Sequence, residues 1–387
     1  MYNVLTLNKI AACGTDLLDK SKYTVGDDIA NPDAILVRSA SMHEMELPSN
    51  LLAIARAGAG VNNIPIDKCT EKGVVVFNTP GANANAVKEL VIAGLLLSSR
   101  RIPAAMDWIK TLKGKGDEVG KLVEKGKSQF VGPEIMGKKL GVIGLGAIGI
   151  LVANAAAELG MDVYGADPFL SVENALKLSG KVHYVKSNKE IFEKCDYITL
   201  HVPALPDTKG MINAEAIASM KKTVRLLNFA RDTLVDEKAI VDALANGGMA
   251  CYVTDFATDG LIGLDGVVAM PHLGASTPES EDNCAVMAVK EVSDYIENGN
   301  IKNSVNLPNV EMAISGNAKI CVIHKNSEGL LNNITAPVSA AGLNIENMVS
   351  KSKKDYAYTC LDVKGDVAGI EASIKSVAGV VSVRVIK

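Results

Sequence analysis

The segment Gly144-Leu-Gly146-Ala-Ile-Gly149 sits between two apolar runs and constrains this chain more than any other feature. From Leu140 to Ala157 almost every residue is apolar, about the length needed to cross a bilayer. Four glycines in that stretch fit a strand, a tight turn and a helix far better than a membrane span. In a G-x-G-x-x-G turn the first glycine permits the sharp bend, and the second lets the backbone approach a pyrophosphate. The third lets helix and strand pack closely, and the helix N-terminus, at Ala147 and Ile148, offers its amides to phosphate. Asp167 ends the next apolar run, 18 residues after Gly149. A carboxylate there accepts ribose hydroxyls and repels a 2′-phosphate, which favours NAD over NADP.

The organisation around this motif is α/β, with two Rossmann-like doubly wound parallel-sheet domains and a different C-terminal module. VLTL, AILVRS (34–39), LLAIARAG (51–58) and GVVVFN (73–78) read as short buried strands separated by polar or amphipathic crossovers. AVKELVIAGLLLSSRR, from Ala86, is a longer helical pattern joining two domains. A second strand series follows: KLGVIG, MDVYGAD (161–167), CDYITLHV (195–202), VRLLNFA (224–230), ACYVTDF (250–256) and GVVAMP (266–271). A helix over 278–297 then returns to the first domain. The expected boundaries are 1–93 with 276–308 for a substrate-binding domain, 94–275 for the NAD-binding domain, 309–317 for a linker, and 318–387 for the last module. That module reads as β-α-β-β-α-β, a ferredoxin-like order.

At 387 residues the chain is too long for one core. Its net charge of −4, without a basic run, points away from nucleic acid and anionic membranes. Seven cysteines are scattered singly, with no C-x-x-C pair, and read as reduced thiols of a cytoplasmic protein. The beginning, MYNVLTLNKI, has no signal-peptide pattern. No metal-ligand cluster is present in the sequence pattern.

Ligands bind at the C-terminal strand ends of such sheets, and two segments lie there. LLNFARD places Arg231 after one strand, and VAMPHLGAST places His272 after another, with Pro271 stiffening the approach. Histidine titrates near neutral pH and suits removal of a hydroxyl proton. The planar fork of arginine matches a carboxylate. A carboxylate beside the histidine would orient it, and Asp259 in FATDG is the nearest in sequence.

GLGAIG, LHVPALPDTKGMIN, LLNFARDTLVDEKAIVDAL and MPHLGAST together resemble the successive signature blocks of the D-2-hydroxyacid dehydrogenase family. RSASM (38–42), IARAGAGVNNI (54–64) and NTPGANANAVKEL (78–90) resemble its phosphoglycerate dehydrogenase branch, so that the resemblance runs along essentially the whole chain. The resemblance implies hydride transfer from C2 of 3-phosphoglycerate to NAD, the first step of serine synthesis. Arg231 would hold the carboxylate and His272 would be the base. Arg38, Ser39 and Arg56, with the backbone of Gly58, Ala59 and Gly60, would bind the substrate. His201, Val202, Pro203, Thr208, Phe229, Ala230 and Asp255 would line the cofactor, with Arg231, His272 and Gly274. Two departures stand out. Asp232 replaces the glycine expected after the arginine, and the catalytic carboxylate, normally Glu, aligns as Asp259 on Phe256 but as Gly260 on Asp255.

The C-terminal module resembles an ACT domain. His324, Asn326, Asn344 and Ile345 match the family's effector-binding positions, which implies an L-serine effector. The family also implies a homodimer or homotetramer, with Ala86–Leu97 and the segment 108–132 as core-interface candidates. Two other readings remain: a dehydrogenase of another D-2-hydroxy acid (glycerate, lactate or 2-hydroxyglutarate), and an NAD-sensing binding protein on the same fold.

Overall fold

The computed structural model describes all residues, Met1–Lys387. It divides into two compact units, Met1–Asn83 with Pro278–Lys387, and Ala84–Thr277. No helix is long and apolar enough to cross a membrane.

The first unit begins with β1 (Tyr2–Leu7), β2 (Tyr23–Gly26), β3 (Ala34–Val37), β4 (Ala53–Arg56) and β5 (Val75–Asn78). They form a parallel sheet in the order β2-β1-β3-β4-β5. Side chains alternate between the faces of a strand, so a doubly covered strand reads as one apolar run. Accordingly Leu36, Ala55 and Phe77 enter one core, and their neighbours Ile35, Val37, Ile54 and Val76 enter the other. The helix Pro278–Asn298 packs on the first of these faces through Ala288, Val289, Val292 and Tyr295.

Glu291 on that helix is buried, with Oε1 accepting from Asn303 Nδ2 at 2.7 Å and Oε2 without a partner. Burial pushes its carboxyl up to about 8 from 4.5. The folded chain therefore holds this proton more tightly than the unfolded chain, and stability falls as pH rises between about 4.5 and 8. Glu291→Gln keeps the acceptor for Asn303 and removes the buried charge. We expect it to exceed the wild type by about 2–4 kcal/mol in urea unfolding at pH 8, the difference shrinking towards pH 4.5. A pH-independent difference would show that the carboxylate is solvated.

The second unit contains β6 (Lys139–Ile143), β7 (Asp162–Ala166), β8 (His183–Tyr184), β9 (Tyr197–Leu200), β10 (Arg225–Asn228), β11 (Cys251–Thr254) and β12 (Val267–Ala269). These are all parallel, in the order β12-β11-β10-β9-β6-β7-β8. The chain runs outward from β6 to β8, then crosses back to lay β9 on the other side of β6. That reversal opens a crevice at the carboxyl ends of β6 and β9. The helices Ala84–Ser99 and Ala147–Glu158 cover one face. By contrast, Ile102–Lys110 and Val119–Gly126 bury no residue, and leave Met106 and Ile109 exposed.

The end of the chain forms β13 (Ala318–Lys325), β14 (Asn344–Lys353), β15 (Tyr356–Lys364) and β16 (Val380–Ile386), an antiparallel sheet in the order β14-β15-β13-β16. The helices Leu330–Ala340 and Ile370–Lys375 close one face over Ile320, Val322, Leu361 and Val363. The opposite face, with Cys321, Ile323, Tyr358 and Cys360, shares a core with Tyr295, Ile296 and Leu307. Buried Lys319 donates to Asn298 O at 2.6 Å and to Met312 O, while Arg384 donates to Tyr295 O and Ile296 O at 3.2 and 2.7 Å. Two cations thus satisfy carbonyls at the end of the helix Pro278–Asn298, where the helix dipole is negative. The stretch 309–317, read as a linker, is held along its length. Val310 bridges to Ile301, and Ser315 and Gly316 donate to buried Asp362.

Candidate active site

The fingerprint turn occupies the crevice of the second unit. Gly144 has φ +95°, and a Cβ there would lie 2.4 Å from His201 O, so the turn after β6 abuts the end of β9. A Cβ on Gly149 would lie 1.9 Å from Gly144 O, which presses the helix start against the turn. A Cβ on Gly146 would meet nothing within 4 Å. The turn therefore leaves open space in front of Gly146 and of the helix starting at Ala147 and Ile148, which fits a pyrophosphate. Asp167, beyond β7, accepts from Leu145 N at 2.9 Å and Phe169 N at 2.8 Å. Its carboxylate both ties down the turn and retains lone pairs for hydroxyl donors.

The loop after β9 forms the other wall. His201 bonds Thr199 Oγ1 at 2.9 Å, and burial pushes its imidazole down to about 3, so no charge arises there at neutral pH. The Thr208 hydroxyl donates to Pro203 O at 2.6 Å and accepts from Leu205 N at 2.8 Å, closing the loop that follows Val202. Phe229, by contrast, is a core side chain packed towards Gly94, while the half-buried Ala230 borders Arg231.

Arg231 is exposed on extended backbone, its guanidinium bonded only to Ala230 O at 2.5 Å. Buried Asn228 sets this turn, donating to Arg231 O at 2.8 Å while its Oδ1 accepts from Ala230 N at 3.2 Å. Sequence reasoning passed over Asn228, although a polar residue ending the apolar strand LLN was its signal. Asp232 turns away to Thr233 N at 2.8 Å and forms no ion pair with Arg231.

His272 is exposed beyond β12, its ring centroid 5.0 Å from that of Phe256 with the two planes at 66°. Asp255 lies in the same neighbourhood, 2% exposed. Its Oδ2 accepts from Gly274 N at 3.2 Å and its Oδ1 is buried without a partner. Burial raises the Asp255 carboxyl, and the His272 ring opposes that rise. Asp259 is exposed and has no bond to His272, while its neighbour Thr258 bonds Glu237 at 2.9 Å.

In the first unit, Arg56 Nε donates to Arg38 O at 3.0 Å, and its guanidinium lies against Gly58 and Gly60. Asn78 donates to Ala59 O at 2.5 Å, fixing the same loop. Arg38 pairs with Glu281 at 2.7 Å, and the Ser39 amide donates to Asn8 at 3.0 Å. The structure thus brings the Arg56 guanidinium to the loop of Gly58, Ala59 and Gly60, while the Arg38 guanidinium turns to Glu281.

The four effector positions do not meet within one chain. His324 is buried, its ring nitrogens bonded to Lys325 O and Thr359 Oγ1 at 2.7 and 2.8 Å, and burial lowers its pKa. Asn326 bonds the turn at Lys354, next to that end of the sheet. Asn344 and Ile345 lie opposite Lys364 and Val363, at the other end of β15.

The family described as D-isomer specific 2-hydroxyacid dehydrogenase, NAD binding domain, matches residues 92–274. D-3-phosphoglycerate dehydrogenase of Haemophilus influenzae is 32% identical over 355 residues, 88% of this chain and 83% of that protein. The Bacillus subtilis enzyme of the same name is 35% identical over 326 residues, 80% of this chain. The chain spans 59% of that relative and 56% of the Methanocaldococcus jannaschii one. An NAD+-bound 3-phosphoglycerate dehydrogenase of Entamoeba histolytica superimposes with a TM-score of 0.62 at 27% identity, covering 79% of this chain and 98% of that one. D-2-hydroxyisocaproate dehydrogenase, at 19% identity and a TM-score of 0.65, shares the fold. By these matches the chain belongs to the D-isomer specific 2-hydroxyacid dehydrogenase family.

Proposed function

We propose that this chain oxidises 3-phospho-D-glycerate to 3-phosphohydroxypyruvate with NAD. The observation that carries the choice of substrate is Arg56, whose Nε donates to the Arg38 backbone carbonyl and whose guanidinium lies against the loop of Gly58, Ala59 and Gly60. A guanidinium there suits a phosphate, as the fork of Arg231 suits a carboxylate. Relatives named D-3-phosphoglycerate dehydrogenase agree with it. When bound, NAD accepts the hydride. Arg231 holds the substrate carboxylate, and His272 takes the hydroxyl proton. Because Arg38 is paired with Glu281, phosphate binding would exchange one anionic partner for another.

For the carboxylate beside the imidazole, burial and charge favour Asp255 over the exposed Asp259. Asp255→Asn is expected to lower kcat roughly tenfold, the effect of losing one nearby charge, and Asp259→Asn to leave it nearly unchanged. The opposite ranking would return the role to Asp259. Following NADH oxidation with 3-phosphohydroxypyruvate and with unphosphorylated hydroxypyruvate tests the substrate. Equal kcat/KM for both would remove Arg38 and Arg56 as phosphate ligands.

The C-terminal sheet has the β-α-β-β-α-β order of an ACT domain, and serine is its proposed effector. Two copies joined along the open edge of β14 by a two-fold axis would bring opposite ends of the sheet together, and so unite Asn344 with the His324 end. Exposed Met106 and Ile109 on a helix with no buried residue favour a core dimer through that segment. Inhibition of turnover by millimolar serine is the expected result, and its absence would leave the module a structural one.

A further inference from the structure

Cys321 on β13 faces Cys360 on β15 directly across the antiparallel ladder. Their sulfurs are 3.9 Å apart, and both side chains are buried in the core shared with the helix Pro278–Asn298. Directly opposed residues in such a ladder have Cα atoms about 4.5–5.5 Å apart, inside the range a disulfide spans. Rotation of the two thiols towards each other closes the remaining gap to about 2.05 Å without moving the strands.

The surroundings single out this pair. Arg384 stands opposite Cys321 on β16, and Lys319 lies two residues before it on the same face of β13. Neither cation has a carboxylate partner, and both bond neutral oxygens near the end of the helix. A hydrogen bond from the Cys360 thiol and, more weakly, these cations favour the thiolate of Cys321, the reactive form of cysteine, against its burial. At three other cysteines burial outweighs the nearby cations. Burial pushes Cys69, Cys195 and Cys251 up to about 11, 12 and 11, and exposed Cys13 lies beside Asp282, which also raises it.

We propose that Cys321 and Cys360 form an oxidation site that a small hydroperoxide converts to a disulfide. The Cys321 thiolate attacks the peroxide oxygen and breaks the O–O bond, giving a sulfenic acid and, from hydrogen peroxide, hydroxide. The Cys360 sulfur then attacks the sulfenic sulfur and expels a second hydroxide. The two thiol protons convert both hydroxides to water, so two thiols are oxidised and one peroxide is reduced. In the disulfide the Cys360 sulfur gives up its contact with Gly299 O, 3.9 Å away, for the bond to Cys321. The bond staples β13 to β15 against the helix end.

The test uses the full-length chain, reduced, freed of reductant and exposed to hydrogen peroxide. Remaining thiols are then alkylated in urea and the digest is mapped by mass spectrometry. The expected result is a Cys321–Cys360 linked peptide pair that grows with peroxide, with an intact mass lower by two hydrogens, reversed by dithiothreitol. Cys321→Ser and Cys360→Ser should each abolish it, with their thermal melts recorded alongside. If either variant fails to fold, the wild-type map alone decides. Full alkylation of both residues after oxidation, over-oxidation of Cys321 without a bond, or linkage to another cysteine would each overturn the proposal.

Discussion

On the proposed function, His272→Ala is expected to fold, to bind NADH, and to turn over 3-phosphohydroxypyruvate about a thousandfold more slowly than the wild type. The size follows from the loss of a general acid–base group, which contributes about 10²–10⁴ in rate. The selectivity follows from the location. His272 is exposed and forms no hydrogen bond, and its ring contact is the edge of Phe256, so its removal opens no cavity. Steady-state kinetics with a parallel NADH fluorescence titration separate the two expectations. Retained kcat would withdraw the proton-transfer role from His272, and lost NADH binding would make it a cofactor ligand instead.

Gly149→Ala and Gly146→Ala should fail in different ways, and the contrast tests the cofactor cradle. A methyl on Gly149 meets Gly144 O at 1.9 Å, so the helix has to move off the turn. Overpacking of this kind costs about 3 kcal/mol, which lowers the melting temperature of a domain this size by roughly 6–12 °C. NADH affinity should fall with it, because the helix amides move. A methyl on Gly146 meets no protein atom. It should leave the melting temperature unchanged while weakening NADH by at least about tenfold, through occupation of the pyrophosphate space. Scanning calorimetry and NADH titration on both variants read this directly. Unchanged NADH affinity in Gly146→Ala would move the phosphate away from this turn.

Buried pattern made much of the fold legible in advance. The apolar runs AILV and VVFN are doubly covered strands, and a periodic sequence leads into the long helix Pro278–Asn298. Two strands had no such signal. Tyr23–Gly26 and His183–Tyr184 lie at sheet edges, are short, and are largely exposed, so no apolar run marks them. In the fingerprint turn, Gly144 and Gly149 were readable because a positive φ and a close approach each demand glycine. The placement of Asp255 and Asp259 was not. Both lie in one short loop segment, and burial separates them, a property that five residues of sequence do not encode. Asn228 escaped for a related reason, since its work is done by bonds to the backbone of Ala230 and Arg231.

The cations at the end of the helix Pro278–Asn298 have an evolutionary corollary. A module attached by a free tether can be gained or lost in one step, because nothing beneath it depends on its presence. Here Tyr295, Ile296 and Leu307 rely on the last sheet for their cover, and the helix carbonyls rely on Lys319 and Arg384 for their donors. Deleting the sheet would expose an apolar surface and strip the helix end at once. A lineage that discarded this module would have to rewrite the end of that helix with polar residues in the same transition.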